Sequence, residues 1–336
     1  MMTTSKLPKI SVVTPSFNQA EFIEETILSV INQNYPNLEY IVIDGGSTDG
    51  SVEIIKKYEQ YFTYWISEPD KGHADALNKG FAKATGEVMA WINSDDKYFE
   101  WTFMTIAEIY SQYPDVLWTT GLHANFNRQG VLMAGESAVR AVYKNIYSYI
   151  FRNFHIQQES VFWRRSLWEK TGGYIDENVH LMVDTELWCR FFLHAELWHI
   201  DQVIGGYRTY GLNRSHIAIH KQQVTEDIDK SIEFLMANLP NQHMIVLNKI
   251  NVFVEALQQQ NKLTGSITKS IRQNKLLQLI PLMFYDKFCN FIYQKAIKKR
   301  GIIALEMPVD ASLVIKKIER DEEGWKKSVL PWQFPY

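Results

Sequence analysis

Val88-Met89-Ala90-Trp91-Ile92-Asn93-Ser94-Asp95-Asp96 is the stretch whose reading decides the fold. Its apolar half is short and bounded by turn residues, which reads as a buried strand. Two adjacent carboxylates then stand at the strand's carboxyl end, where open α/β sheets bind their ligands. Neighbouring acids repel each other unless a cation sits between them and something anionic. A nucleotide diphosphate bridged by Mg2+ or Mn2+ fits that need. The simpler reading is an Asx turn capping a helix at 99–110.

Working outward, strands are expected at 10–14, 38–43, 61–67 and 86–92. Helical spacing lies between them at 20–32, from the 44–50 turn to about 58, at 74–84, and again at 99–110. Strands alternating with helices predict βαβ units, an α/β fold with a mostly parallel sheet flanked by helices. From 115 to 208 the pattern is mixed and rich in Trp and Tyr. Beyond 222 the chain reads as helix after helix, broken at Pro240, Gly265, Pro281 and Gly301.

The formal net charge of −3 hides an asymmetry: residues 1–239 carry 20 Lys+Arg against 30 Asp+Glu, and residues 240–336 carry 15 against 8. A basic tail on an acidic body implies separate jobs for the two parts. Nothing in the pattern suggests nucleic-acid binding. Two cysteines, Cys189 and Cys289, are too few for a disulfide scaffold and fit a reducing, cytoplasmic location. No signal peptide and no transmembrane run is visible. The apolar run at 276–285, followed by Lys295, Lys298, Lys299 and Arg300, suits either a peripheral membrane contact through 276–300 or a helical extension packed on the body.

Four further segments can carry chemistry. Thr14-Pro15-Ser16-Phe17-Asn18 follows the first strand, and its backbone can hold a base or ribose, or simply turn into a helix. Asp44-Gly45-Gly46-Ser47-Thr48-Asp49-Gly50 follows the second. Its glycines allow close backbone approach to a ligand, and Asp44 can accept the imide N–H of a base; a tight βα turn is the plainer alternative. It is neither a P-loop nor a Gly-x-Gly-x-x-Gly turn. In 68–80, Lys71 can touch phosphate, while Asp75 and Asn78 share one helix face. In Val183-Asp184-Thr185-Glu186-Leu187-Trp188, Asp184 is either a general base on a hydroxyl or a helix cap.

Thr14 to Asn18, Asp44 to Gly50, Gly72…Asp75-Ala76…Asn78-Lys79-Gly80 and Asn93-Ser94-Asp95-Asp96, in that order, closely resemble family 2 inverting glycosyltransferases over roughly residues 8–215. The resemblance implies a GT-A fold and a Rossmann-like domain over 1–220. Residues 8–120 would form the nucleotide-binding part and 121–220 the acceptor part, with a helical C-terminal extension over 221–336. It implies a nucleotide-sugar donor, UDP-linked by expectation, held by Thr14, Pro15, Ser16, Asn18, Asp44, Lys71, Asp75, Asn78, Asn93, Ser94 and Asp95. Asp95 and Asp96 would hold a divalent metal, Mg2+ or Mn2+. Gln158, in His155-Ile156-Gln157-Gln158-Glu159-Ser160, would line the acceptor side with Glu186 and Trp188. Asp184 would be the catalytic base, and Arg208 or Arg214 would face the diphosphate.

Three positions depart from the family pattern: Asn93 replaces the first acid of the metal motif, Val183 the acid before the base, and no His follows Arg208-Thr209-Tyr210. The implied reaction is one in-line displacement onto an acceptor hydroxyl with inversion, in surface polysaccharide or glycolipid synthesis. Two other readings stay open. A sugar-phosphate nucleotidyltransferase would show a Gly-rich loop with Arg and Lys near the amino end, and Lys6 and Lys9 do not form one. A non-catalytic module binding nucleotide sugar or carbohydrate would bind donor without turnover.

Overall fold

The computed structural model describes residues 7–133, 139–140, 145–150, 156–211, 220–248 and 314–331. Strands β1 (Ile10–Ser16), β2 (Leu38–Asp44), β3 (Tyr64–Ser67) and β4 (Val88–Trp91) alternate with helices α1 (Ile23–Ile31), α2 (Ser51–Lys57) and α3 (His73–Phe81). Next come β5 (Lys97–Tyr98), α4 (Thr102–Gln112), β6 (Trp118–Phe126), β7 (Val139–Arg140), α5 (Ile146–Ile150), β8 (Val161–Arg164) and α6 (Arg165–Lys170). The order closes with α7 (Val183–Phe192), β9 (Trp198–Val203), β10 (Gly205–Arg208), α8 (Lys221–Ala237), β11 (Val314–Asp321) and β12 (Gly324–Pro331).

The main sheet runs β12-β11-β9-β6-β8-β4-β1-β2-β3. β1 pairs in parallel with both β2 and β4, and β2 with β3, while β8 is antiparallel to β4 and β6. The alternation of side chains along a strand explains why the strands are apolar throughout. Val13, Ile41, Ile43, Met89 and Trp91 face one core, with α3, α6 and α7. Val12, Tyr40, Val42, Val88 and Ala90 face the other, with α1 and α4.

α3 lies close on β1 because it carries a glycine there. A Cβ at Gly80 would sit 2.4 Å from Cγ1 of buried Val13. Gly80→Ala is expected to destabilise the fold by about 1–2 kcal/mol, the overpacking cost exceeding the ~1 kcal/mol gain in helix propensity. Urea unfolding measures it, and a stabilised variant would show that α3 can shift outward.

The C-terminal part differs from the expected run of helices. α8 is a helix, but 314–331 is a β-hairpin, with β11 antiparallel to β12 and parallel to β9. Buried Ile318 and Trp325 join the core beneath α4, and Trp325 Nε1 donates to Glu108 at 2.8 Å. Gly324, at φ 127°, closes the turn, a conformation that glycine adopts without strain. Among the described residues no helix is long and apolar enough to cross a membrane. The 276–300 segment and Cys289 lie outside the described residues.

Candidate active site

The strands' carboxyl ends are stitched into one rim. Gly45 N donates to Ser16 O (2.8 Å), Glu68 N to Asp44 O (3.0 Å) and Ile92 N to Val13 O (2.9 Å). Asn18, in the left-handed region at φ 51°, accepts Thr48 N–H on its Oδ1 and donates its own N–H to Ser47 Oγ. The loops after β1 and β2 are thereby zipped together. His73, at the start of α3, reaches Asn93 Oδ1 at 3.1 Å and joins the β3 and β4 loops. The loops after β1 to β4 thus lie together along the sheet's carboxyl edge, the edge at which an α/β sheet of this order binds its ligand.

The 93–96 motif is a turn, with Asp96 N donating to Asn93 O at 3.1 Å. It does not cap α4, which begins six residues later without a side-chain cap. Asp95 is partly buried at this edge, and its Oδ2 accepts Tyr210 O–H at 2.9 Å. Asp96 turns the other way and is wholly buried. Its Oδ1 accepts Arg208 N–H (2.8 Å), its Oδ2 faces Asn93 Nδ2 (3.2 Å), and its carboxyl hydrogen-bonds Glu159. Asp96 is therefore a support beneath the motif and not the expected metal ligand, because its oxygens are already engaged inside the protein.

Burial raises both carboxyls of that pair, Glu159 to about 7, with the charges of Asp184 and Asp95 adding to it. Two buried acids this close share a proton near neutral pH. Gln158 lies beside them, donating to Trp91 O (2.7 Å) and facing Asn93 Nδ2 with its Oε1 (3.3 Å). It braces the motif from inside rather than lining an acceptor wall.

Asp184 sits in the first turn of α7, one residue past its start, and accepts Thr185 N–H at 2.8 Å. It is not the helix cap. Burial lifts its carboxyl to about 6 against the opposing pull of the Thr185 and its own N–H. Its charge in turn raises Tyr149, Glu159 and Cys189. Glu159 thus feels the charges of both Asp184 and Asp95.

Several of the residues expected to contact ligand are engaged within the protein. Thr14 Oγ1 is buried against Tyr40 O–H (3.1 Å) in the core. Asp44 is wholly buried, and four donors fill its oxygens: Gly46 N, Ser47 N, Ser47 Oγ and Ser67 Oγ. Asn78 is bonded by both ends of its amide to the backbone of Ile175. Glu186 forms a buried bidentate pair with Arg190, which also holds the carbonyls of Thr171 and Tyr174. Trp188 stacks on Trp91 and Trp118, ring centres 5.6 Å away from each, and is wholly buried. Arg208 is 1% exposed and bonds Glu25 (2.5 Å), Asp95 O (2.6 Å) and Arg128 O (2.9 Å). It shapes the motif from behind rather than facing a diphosphate. Arg214 lies outside the described residues.

Of the remaining expected residues, Lys71 is exposed at the mouth, and Asp75 accepts Lys71 N–H and pairs with Lys79. Pro15, Ser16 and Ser94 are buried at the strand ends. Asp70 went unnoticed in the sequence as a site residue. Its Oδ2 lies 2.7 Å from where a Cβ on Gly45 would be, so its carboxylate fills the space a side chain at 45 would take. Phe17, 60% exposed, stands on the neighbouring loop. The glycine pair at 45–46 was the available signal that another chain segment comes close.

Residues 11–198, which span the sheet, the Asp95 turn and α7, match the family model described as "Glycosyl transferase family 2". The chain belongs to that family. The glycosyltransferase is 30% identical over 210 residues to an uncharacterized glycosyltransferase, Rv1514c, of Mycobacterium tuberculosis, covering 61% of this chain and 77% of the relative. It is 39% identical over 100 residues to TuaG of Bacillus subtilis, provisionally named a teichuronic acid biosynthesis glycosyltransferase, covering 28% and 39%. Among solved structures, Staphylococcus aureus TarS 1-349 in complex with UDP-GlcNAc superposes with a TM-score of 0.56 at 19% identity, covering 70% of this chain and 69% of that one. A Pyrobaculum calidifontis mannosyltransferase in complex with GDP-Man and Mn2+ gives 0.50 at 17%, covering 89% and 88%. Both share the fold of this glycosyltransferase, a mostly parallel sheet flanked by helices.

Proposed function

We propose that this glycosyltransferase moves a sugar from a nucleoside-diphosphate donor, UDP-linked, to an acceptor hydroxyl by a single inverting displacement, with Asp184 as the general base. The observation that carries this reading is Asp184 itself: a partly exposed carboxylate in the first turn of α7, lifted by burial to about 6. A base poised near neutral pH can take a hydroxyl proton as the oxygen attacks the anomeric carbon. Departure of the nucleoside diphosphate on the opposite side inverts the sugar.

The donor lies along the β1–β4 rim in this reading. The exposed ring of Phe17, the backbone at 45–47 and the Asp70 carboxylate meet the base and ribose. Lys71 approaches the diphosphate. The likeness to a UDP-GlcNAc complex supports the UDP choice, and the name of TuaG supports a saccharide acceptor in surface polysaccharide synthesis.

A divalent cation fits the donor set in one way. Among the described residues no cluster of three His, Cys, Asp or Glu side chains can hold a metal. Asp95 is the carboxylate of the motif that reaches the sheet's carboxyl edge, and Mg2+ is commonly bound by one or two carboxylates plus substrate phosphates. Asp95 would hold it together with the diphosphate, where it would neutralise charge on the leaving group. Tyr210 and Arg208 orient Asp95 from its side chain and its carbonyl.

Calorimetric titration of UDP, GDP and dTDP, each with and without Mn2+, tests the donor assignment. UDP is expected to bind tightest, and only with metal. Asp95→Ala is expected to weaken UDP binding about 10- to 100-fold in Mn2+ and to abolish the effect of EDTA, following the loss of a direct ligand. Binding indifferent to both EDTA and Asp95→Ala would remove the metal from the site. No binding by any of the three nucleotides would remove the donor reading.

A further inference from the structure

α7 opens without a side-chain cap of its own, although the first N–H groups of a helix need partners. A residue from another helix supplies one for the turn that leads into it. Asp227 of α8 is wholly buried, and its Oδ2 accepts three consecutive backbone N–H groups: His180 (3.2 Å), Leu181 (2.8 Å) and Met182 (3.3 Å). Gln223 Nε2 donates to its Oδ1 at 2.8 Å, and Ser231 Oγ to its carbonyl at 2.7 Å. Buried Ile228, Ile232 and Leu235 seat α8 on the body. Asp184 follows two residues after the clamped turn. α8 also lies beyond the stretch that matches the family profile.

We propose that Asp227 is a positioning residue: it fixes the 180–182 turn, and through it holds Asp184 in its place in the first turn of α7. The proposal rests on Asp184 as the base. The titratable groups that feel the charge of Asp184 are Tyr149 from α5, Glu159 from the turn before β8, and Cys189 on its own helix. Loosening the 180–182 turn would expose the partly buried Asp184 further and move it relative to those groups. Burial would then no longer hold its proton.

The test is a double-mutant cycle on thermal stability of the full chain at pH 4 and pH 8. The native state holds the Asp184 proton more tightly than the unfolded chain, so the carboxyl costs stability as pH rises from about 4 to about 6. Asp184→Asn removes that cost and is expected to raise Tm by about 3–6 °C at pH 8 and little at pH 4. In the Asp227→Ala background that gain at pH 8 is expected to shrink to less than half. In Asp227→Asn, whose amide oxygen still accepts the N–H groups, most of it should return. An undiminished gain in Asp227→Ala would make Asp227 a stabilising cap and nothing more.

If the alanine variant does not fold, Asp227→Ser, whose hydroxyl is too short to serve three N–H groups, is read the same way. In UDP-sugar turnover, Asp227→Ala is expected to lower kcat about 10- to 100-fold with the UDP Kd unchanged. Unchanged kcat would overturn the proposal. The base assignment is checked apart, by turnover of Asp184→Asn alone: normal turnover there removes the base role from Asp184 and with it the positioning role from Asp227, whatever the cycle shows.

Discussion

Asp184→Asn is expected to lower turnover by about two to four orders of magnitude while UDP affinity stays within a few fold, the signature of losing a general base. The amide keeps the size of the side chain and can still accept the Thr185 N–H, so the helix start survives. What it cannot do is take a proton. The pH profile gives a second readout of the same residue. Asp184 must be ionised to act, and its carboxyl is lifted to about 6. The wild-type kcat/KM should therefore fall about tenfold per unit below pH 6 and level off above it. The variant's residual rate should lack that acid limb. Turnover that survives the substitution, or a limb that persists in the variant, would place the base elsewhere, with Glu159 the next carboxyl to examine.

Arg208→Ala should cost about 1–3 kcal/mol of stability, as expected for leaving the carbonyls of Asp95 and Arg128 without their donor, while Glu25, 41% exposed, is left in contact with water. Arg208 is 1% exposed and pairs with Glu25, whose carboxyl is lifted by burial but held below its ordinary range by Lys97 and Arg208. Its guanidinium also bonds Asp95 O and Arg128 O. Removing it leaves Glu25 with Lys97 alone and frees the backbone of the 93–96 turn. A diphosphate-binding arginine would behave in the opposite way, with donor KM rising and stability barely moving. Denaturant unfolding and UDP titration on the same variant separate the two. A stable Arg208→Ala protein with weakened UDP binding would return Arg208 to the donor side.

The sheet was legible from residue type because both of its faces are buried. Continuous apolar runs such as Val88 to Ile92 can satisfy two cores at once, and the turn residues between them mark the strand ends. The loop residues proposed to face ligand were half legible. Asp95, Asp184 and Lys71 stand where their positions at strand and helix ends imply. Asp44, Asn78, Asp96, Glu186 and Arg208 carry the same chemical groups, yet their partners are backbone and side chains distant in sequence. A carboxylate's role depends on which donors reach it, and Asp96 meets Arg208 N–H and Glu159 only after the chain has folded. Trp188 illustrates the same limit for an aromatic ring, which reads alike whether it meets a sugar or, as here, Trp91 and Trp118.

The C-terminal hairpin was read as helix because short apolar runs flanked by lysines suit either period. Pairing with β9 decided it, since an open strand edge offers backbone partners that a sequence pattern does not contain. By itself, the sequence determined the alternating α/β order, the family and where the strands end, because periodicity and local turn chemistry act over a few residues. Only the tertiary structure decided which acids stand at the sheet's carboxyl edge and which lie beneath it, and that an aspartate from α8 clamps the turn before Asp184. Hydrogen bonds between groups tens of residues apart made that choice, and no local pattern encodes them.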